Sequence, residues 1–153
     1  MVQVKHKLAV IEVSASCPTH SRTEVKVRDT QSVIDEPLER GGTNQGPSPT
    51  EALIAAITGC SNVVINKLAK ANNVEVHSLA IQARAEFDRR GPQLIAEVET
   101  PFPSLHLTID ISTNAEDGAM AKIKDGLHRY CPLHKVIEAS GTKVTETWHV
   151  SPT

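Results

Sequence analysis

Aromatic residues are almost missing from this chain of 153 residues: Phe87, Phe102, Tyr130 and Trp148 are all it has. Aromatic rings bring large buried areas to a core, so this interior must be built mainly from aliphatic side chains. A strong charge of either sign is missing too. Sixteen basic and eighteen acidic residues leave a formal net charge of −2, which gives no broad attraction to nucleic acid or to an anionic bilayer. No run reaches the roughly 18 uninterrupted apolar residues of a membrane span. The opening residues MVQVKHK have neither the apolar stretch nor the cleavage site of a secretory signal, so a cytoplasmic location is expected. The chain has no G-x-G-x-x-G, no P-loop and no G-x-S-x-G, which removes the dinucleotide, nucleotide-phosphate and serine-hydrolase readings. Its three cysteines are too few and too widely spaced for the disulfide framework of a secreted domain.

The length fits a single domain over residues 1–153. Residues 3–15 and 22–28 alternate loosely with period two and read as strands. A loop with Asp35, Glu36, Pro37, Gly41 and Gly42 runs to Pro47. Ser48-Pro49-Thr50-Glu51 is then a strong helix start: Ser48 caps, Pro49 takes the first helical position, and Glu51 can reach back to the cap. The apolar stretch from Ala52 to Ala71 continues that helix for about 22 residues, roughly 33 Å, and Asn72-Asn73 stops it. Residues 75–90 and 93–100 read as a hairpin around Arg90-Gly91-Pro92, and 105–112 as a further strand. Asn114 to Tyr130 reads as a helix, Pro132 to Ala139 as a shorter one stopped by Gly141, and 142–150 as a last strand. The order ββ-α-βββ-αα-β is α+β.

Two cysteines occupy the apolar scaffold. Cys60 lies well inside the long helix, and Cys131 directly precedes Pro132 at the next helix start. If the fold joins them, they form a pair able to cycle between dithiol and disulfide. A thiolate at Cys60 is too far from its helix N-terminus to gain much from the dipole and needs a cation, for which Arg22, Arg28 and Arg40 are candidates. Cys131, at a helix cap, is expected to have a stabilised thiolate, which suits a resolving thiol. Against this, a cysteine in an aliphatic helix is most often inert packing, Glu51 is fully explained as a capping residue, and Cys17 sits in a loop. The segment HRYCPLH places His128, Cys131 and His134 at a spacing that zinc could use. No fourth ligand is near and Pro132 interrupts the helix, so surface histidines are expected, with no metal and no cofactor assigned.

The run GPSPTEALIAAITGCSNVV, preceded by DEP and GG, together with the later CPLHKVIEASG and its terminal strand, resembles the OsmC/Ohr family of osmotically induced and organic-hydroperoxide-resistance proteins. The resemblance spans about residues 20 to 150. It implies an intertwined OsmC-like homodimer, with one long central helix per subunit wrapped by antiparallel sheets. It also implies a peroxidase: Cys60 attacks an organic or inorganic hydroperoxide, Cys131 resolves it as a disulfide, and a cellular dithiol reductant restores the pair. On the same resemblance Arg22 and Glu51 assist at the subunit interface. Two positions depart from the hydroperoxide-resistance branch, where glutamate stands ten residues before the cysteine and phenylalanine follows it. Here those positions are Thr50 and Ser61, as in a less characterised OsmC-like branch. The alternative reading is a non-catalytic binding or structural protein on the same fold, with His/Cys metal binding as a variant.

Overall fold

The structure, a computed structural model, describes residues 8–153. The chain forms two compact units, one ending at Ala52 and one running from Leu53 to Thr153.

In the first unit, β1 (Ser14–Ser16), β2 (Thr23–Val27) and β3 (Thr30–Ile34) form an antiparallel sheet in that order. Of the strand expected over 3–15, residues 3–7 lie outside the described residues, and only Ser14–Ser16 is paired. Leu8, Val10, Ile11 and Val13 are exposed. β3 was not expected from the sequence. It is a short TQSVI segment joined to β2 by a two-residue turn in which Arg28 takes φ 56, and its polar residues hide the period.

The loop from Asp35 to Pro47 is tied around one buried carboxylate. Asp35 accepts the Thr43 and Gln45 N–H groups at 3.0 and 3.3 Å and also the Thr43 hydroxyl. These bonds, the Thr43 hydroxyl foremost, hold its pKa below the ordinary value. Gly42 and Gly46 are needed for close backbone approach: a Cβ there would lie 1.7 Å from the Glu36 carbonyl oxygen and 2.1 Å from that of Val33.

Helix α1 (Pro49–Ala71) begins where the sequence predicts. Glu51 accepts the Ser48 N–H at 2.8 Å, and Ser48 Oγ lies 3.5 Å from the Glu51 N–H, the reciprocal arrangement of a capping box.

In the second unit, β4 (Val76–Ala85), β5 (Ser104–Thr113) and β6 (Lys143–Ser151) form a sheet with β5 at its centre. β4 pairs antiparallel with β5, and β6 pairs parallel with β5, where the resemblance implied antiparallel sheets. The cause is the crossover through α2 (Asp117–Tyr130) and α3 (Pro132–Ala139), which returns the chain to the same end of the sheet. Residues 93–100 form no strand. Pro92 lacks a donor, Leu94 adopts φ 58, and the N–H groups of Gln93, Leu94 and Ile95 bond back to Arg89, Gly91 and Arg90, folding the segment into turns.

The core lies between this sheet and the helices. Leu105, Leu107, Ile109 and Ile111 are buried along alternate positions of β5, facing Ile57, Val64 and Ile65 of α1 and Ile123 and Leu127 of α2. Each such side chain contributes about 1.5–3 kcal/mol on full burial.

Candidate functional site

Cys60 reaches the core from α1, and Cys131 caps α3 between α2 and Pro132. Their sulfurs are 3.1 Å apart, closer than a relaxed non-bonded contact but well short of the roughly 2.05 Å of a disulfide. Both thiols are free. They are not equivalent. Cys60 is partly exposed and Cys131 is buried, so a small solute can reach only the first.

The helix start gives Cys131 less than the sequence suggests. The N–H groups of Leu133 and His134 favour its thiolate, yet burial outweighs them, and with the hydrogen bond and charge of Cys60 it pushes the pKa up to about 11. The expected stabilised thiolate at Cys131 is therefore corrected: near neutrality this residue is a thiol that donates its S–H toward Cys60.

The other sequence candidates lie in the first unit. Arg22 pairs with Glu24 at 2.7 Å, and its Nε is buried without a hydrogen-bond partner. Arg28 is the turn residue described above, and Arg40 pairs with Glu36 at 2.7 Å. Glu51 acts as the capping residue, with its pKa lowered chiefly by the Ser48 N–H. Cys17 is exposed.

A second cluster adjoins the thiols. The Ser61 hydroxyl donates to the Ile57 carbonyl at 2.8 Å and lies 3.1 Å from His134 Nε2. His134 is buried, and burial lowers its pKa, keeping it neutral. Its Nδ1 faces Glu146 Oε1 at 3.8 Å, and His128 Nε2 lies 3.2 Å from the same oxygen. Trp148 Nε1 donates to the other Glu146 oxygen at 2.7 Å. The sequence sets aside a grouping of the two histidines with Cys131 and predicts surface histidines; this holds only for the partly exposed His128, since His134 is buried, Cys131 turns to Cys60, and Glu146 of β6 joins the histidines. Sequence reasoning missed Glu146. The available signal was its parity, since it shares the inward face of β6 with Val144 and Trp148, where a carboxylate is costly unless partnered.

A profile of the family described as OsmC-like protein matches residues 42–147. No curated protein matches the chain. Among solved structures, an OsmC-like protein from Mycoplasma pneumoniae superposes with a TM-score of 0.77 at 16% identity, covering 93% of this chain and 97% of that one. An organic hydroperoxide resistance protein from Legionella pneumophila gives 0.69 at 18% identity, covering 95% and 100%. The organic hydroperoxide resistance protein OhrB of Bacillus subtilis gives 0.59 at 19% identity, covering 94% and 100%. At these identities the likeness is one of fold.

Proposed function

The chain belongs to the OsmC-like protein family, and from that premise we propose that it reduces hydroperoxides through a Cys60–Cys131 dithiol/disulfide cycle. The observation that carries this reading is the 3.1 Å separation of one accessible and one buried sulfur. The Cys60 thiolate attacks the distal oxygen of ROOH. The O–O bond breaks, the departing RO− takes up a proton from solvent and leaves as ROH, and Cys60 becomes a sulfenic acid. Cys131 then attacks that sulfur, a disulfide forms, and the sulfenic oxygen departs as water with the Cys131 proton. An external dithiol supplies the two electrons and two protons that restore both thiols.

The order of steps follows from the electrostatics. While Cys60 is anionic, its charge helps keep Cys131 protonated. Conversion of Cys60 to a neutral sulfenic acid removes that charge, so the resolving thiol becomes easier to ionise only after the peroxide has reacted. Arg22 and Glu51 belong to the proposal as the activating cation and its orienting carboxylate, the roles the resemblance assigns them.

Peptide mass spectrometry after one equivalent of cumene hydroperoxide tests the cycle. A 60–131 linkage with loss of two hydrogens is expected, and Cys60→Ser should abolish peroxide consumption. If both thiols stay free, the mechanism is wrong and the non-catalytic reading on the same fold takes its place.

A further inference from the structure

Three side chains of the second unit with metal-ligating atoms converge on one small space. His128 stands in the last turn of α2, His134 in the first turn of α3, and Glu146 in mid-β6. One ligand atom from each lies within 4.8 Å of the others. The protonation of His134 can be assigned from its partners. The Ser61 hydroxyl hydrogen is committed to the Ile57 carbonyl, so Ser61 Oγ accepts from His134 Nε2. Nε2 therefore carries the proton of the neutral ring, and Nδ1 presents a lone pair.

That lone pair faces Glu146 Oε1 across 3.8 Å. Both atoms are buried and neither has a hydrogen-bond partner. The His134 side chain is fully buried and that of Glu146 is 7% exposed. Two acceptors facing one another in a dry place are costly, and a cation between them removes the cost on both sides. His128 supplies the third donor, with Nε2 3.2 Å from the same carboxylate oxygen. Zinc–ligand bonds of about 2.0–2.1 Å in tetrahedral array put neighbouring ligand atoms about 3.3–3.4 Å apart, and the distances of 3.2 and 3.8 Å fall on either side of this.

Outer contacts hold each ligand in place. Ser61 fixes His134, Trp148 Nε1 holds Glu146 Oε2 at 2.7 Å, and Glu138 Oε1 lies 3.4 Å from His128 Nδ1. Such outer partners set ring orientation and tautomer at metal centres.

We propose that His128, His134 and Glu146 bind one divalent transition-metal ion of the zinc class, with its fourth position open to solvent beside the partly exposed His128. Two imidazoles and one carboxylate suit zinc or its first-row neighbours, not magnesium or calcium, which require oxygen ligands. An open fourth position is the pattern of reactive rather than purely structural zinc sites. The inference stands on the histidine–glutamate cluster alone and is independent of the thiol cycle.

Titration of the reduced, metal-free protein with Co2+ tests it by visible spectroscopy. One equivalent should saturate the intense bands of a four-coordinate ion, without a near-ultraviolet sulfur-to-metal band. Zn2+ should displace the cobalt and Mg2+ should not. His128→Ala removes a partly exposed side chain, leaves the core packed, and should weaken binding at least about tenfold. Trp148→Phe should weaken it by about 10–100-fold, as for loss of an outer partner. No saturable binding, a sulfur charge-transfer band, displacement by Mg2+, or unchanged affinity in His128→Ala would each overturn the site.

Discussion

At the residue scale burial moves the titration of Cys131, and that shift can be measured. The folded pKa of Cys131 is raised from about 9 to about 11. Between those values the folded chain keeps a proton that the unfolded chain has lost, so stability falls as pH rises through that window. Urea denaturation at pH 8 and pH 10.5 should show a steeper loss in the wild type than in Cys131→Ala. Equal losses would place the proton elsewhere. The same burial gives a chemical expectation: in Cys131→Ser the sulfenic acid on Cys60 has no internal thiol to meet, and excess hydroperoxide should drive it to sulfinic and sulfonic acid. Mass spectrometry should find two or three added oxygens on the Cys60 peptide, and a variant that stops at one oxygen would argue against resolution by Cys131. The two cysteines were legible from their motifs, because each lies at a recognisable helix position. The partners of His134 were not, since Ser61 and Glu146 stand 73 residues before it and 12 after it and meet it only when α1, α3 and β6 pack together.

At the scale of elements, helix boundaries were the most readable feature and strands the least. Pro49 and Pro132 open α1 and α3 where the sequence predicts, because a proline preorganises the first helical turn and cannot be used further in. Period two is weak evidence in segments of five to eight residues, so it gives no sign of β3 and suggests a strand over 93–100, where a positive φ at Leu94 breaks it. The glycines of the loop before α1 act through backbone proximity. In Gly46→Ala the new Cβ would meet the Val33 carbonyl oxygen at 2.1 Å, and neither backbone can yield without breaking the strand-to-loop connection. A loss of about 1–3 kcal/mol is expected. Gly118→Ala, in α2 with no atom within 4 Å of its Cβ, should instead gain about 0.5–1 kcal/mol of helix propensity. Thermal melts of the pair decide the matter, and two shifts of the same sign would refute the steric account.

At the scale of the whole molecule, α1 is too apolar for the cover it has. Its buried residues Ile57, Ser61, Val64, Ile65 and Ala69 follow one stripe. Leu53 and Val63 remain 39% and 50% exposed, and Ala55, Ala56 and Gly59 are exposed with them. By length and composition this helix could cross a bilayer, yet Asn62, Asn66 and Lys67 are also exposed on it, where a lipid-facing helix would pay heavily for polar groups. We propose that a second copy of the chain covers the exposed face of α1 instead, as the resemblance implies, and that Ala55, Ala56 and Gly59 let two such helices approach closely. A permanent homodimer interface of this kind buries roughly 2,000 Å² or more. Gly59→Leu separates assembly from folding. Its Cβ meets nothing within 4 Å in the single chain, so the fold should survive, whereas a leucine at a close helix crossing would force the copies apart. Sedimentation equilibrium at low micromolar concentration should give twice 16.5 kDa for the wild type and a large monomer fraction for the variant, with unchanged far-ultraviolet circular dichroism. A wild type that sediments as a folded monomer, or a Gly59→Leu protein that stays dimeric, would show that something other than a second α1 lies against this face.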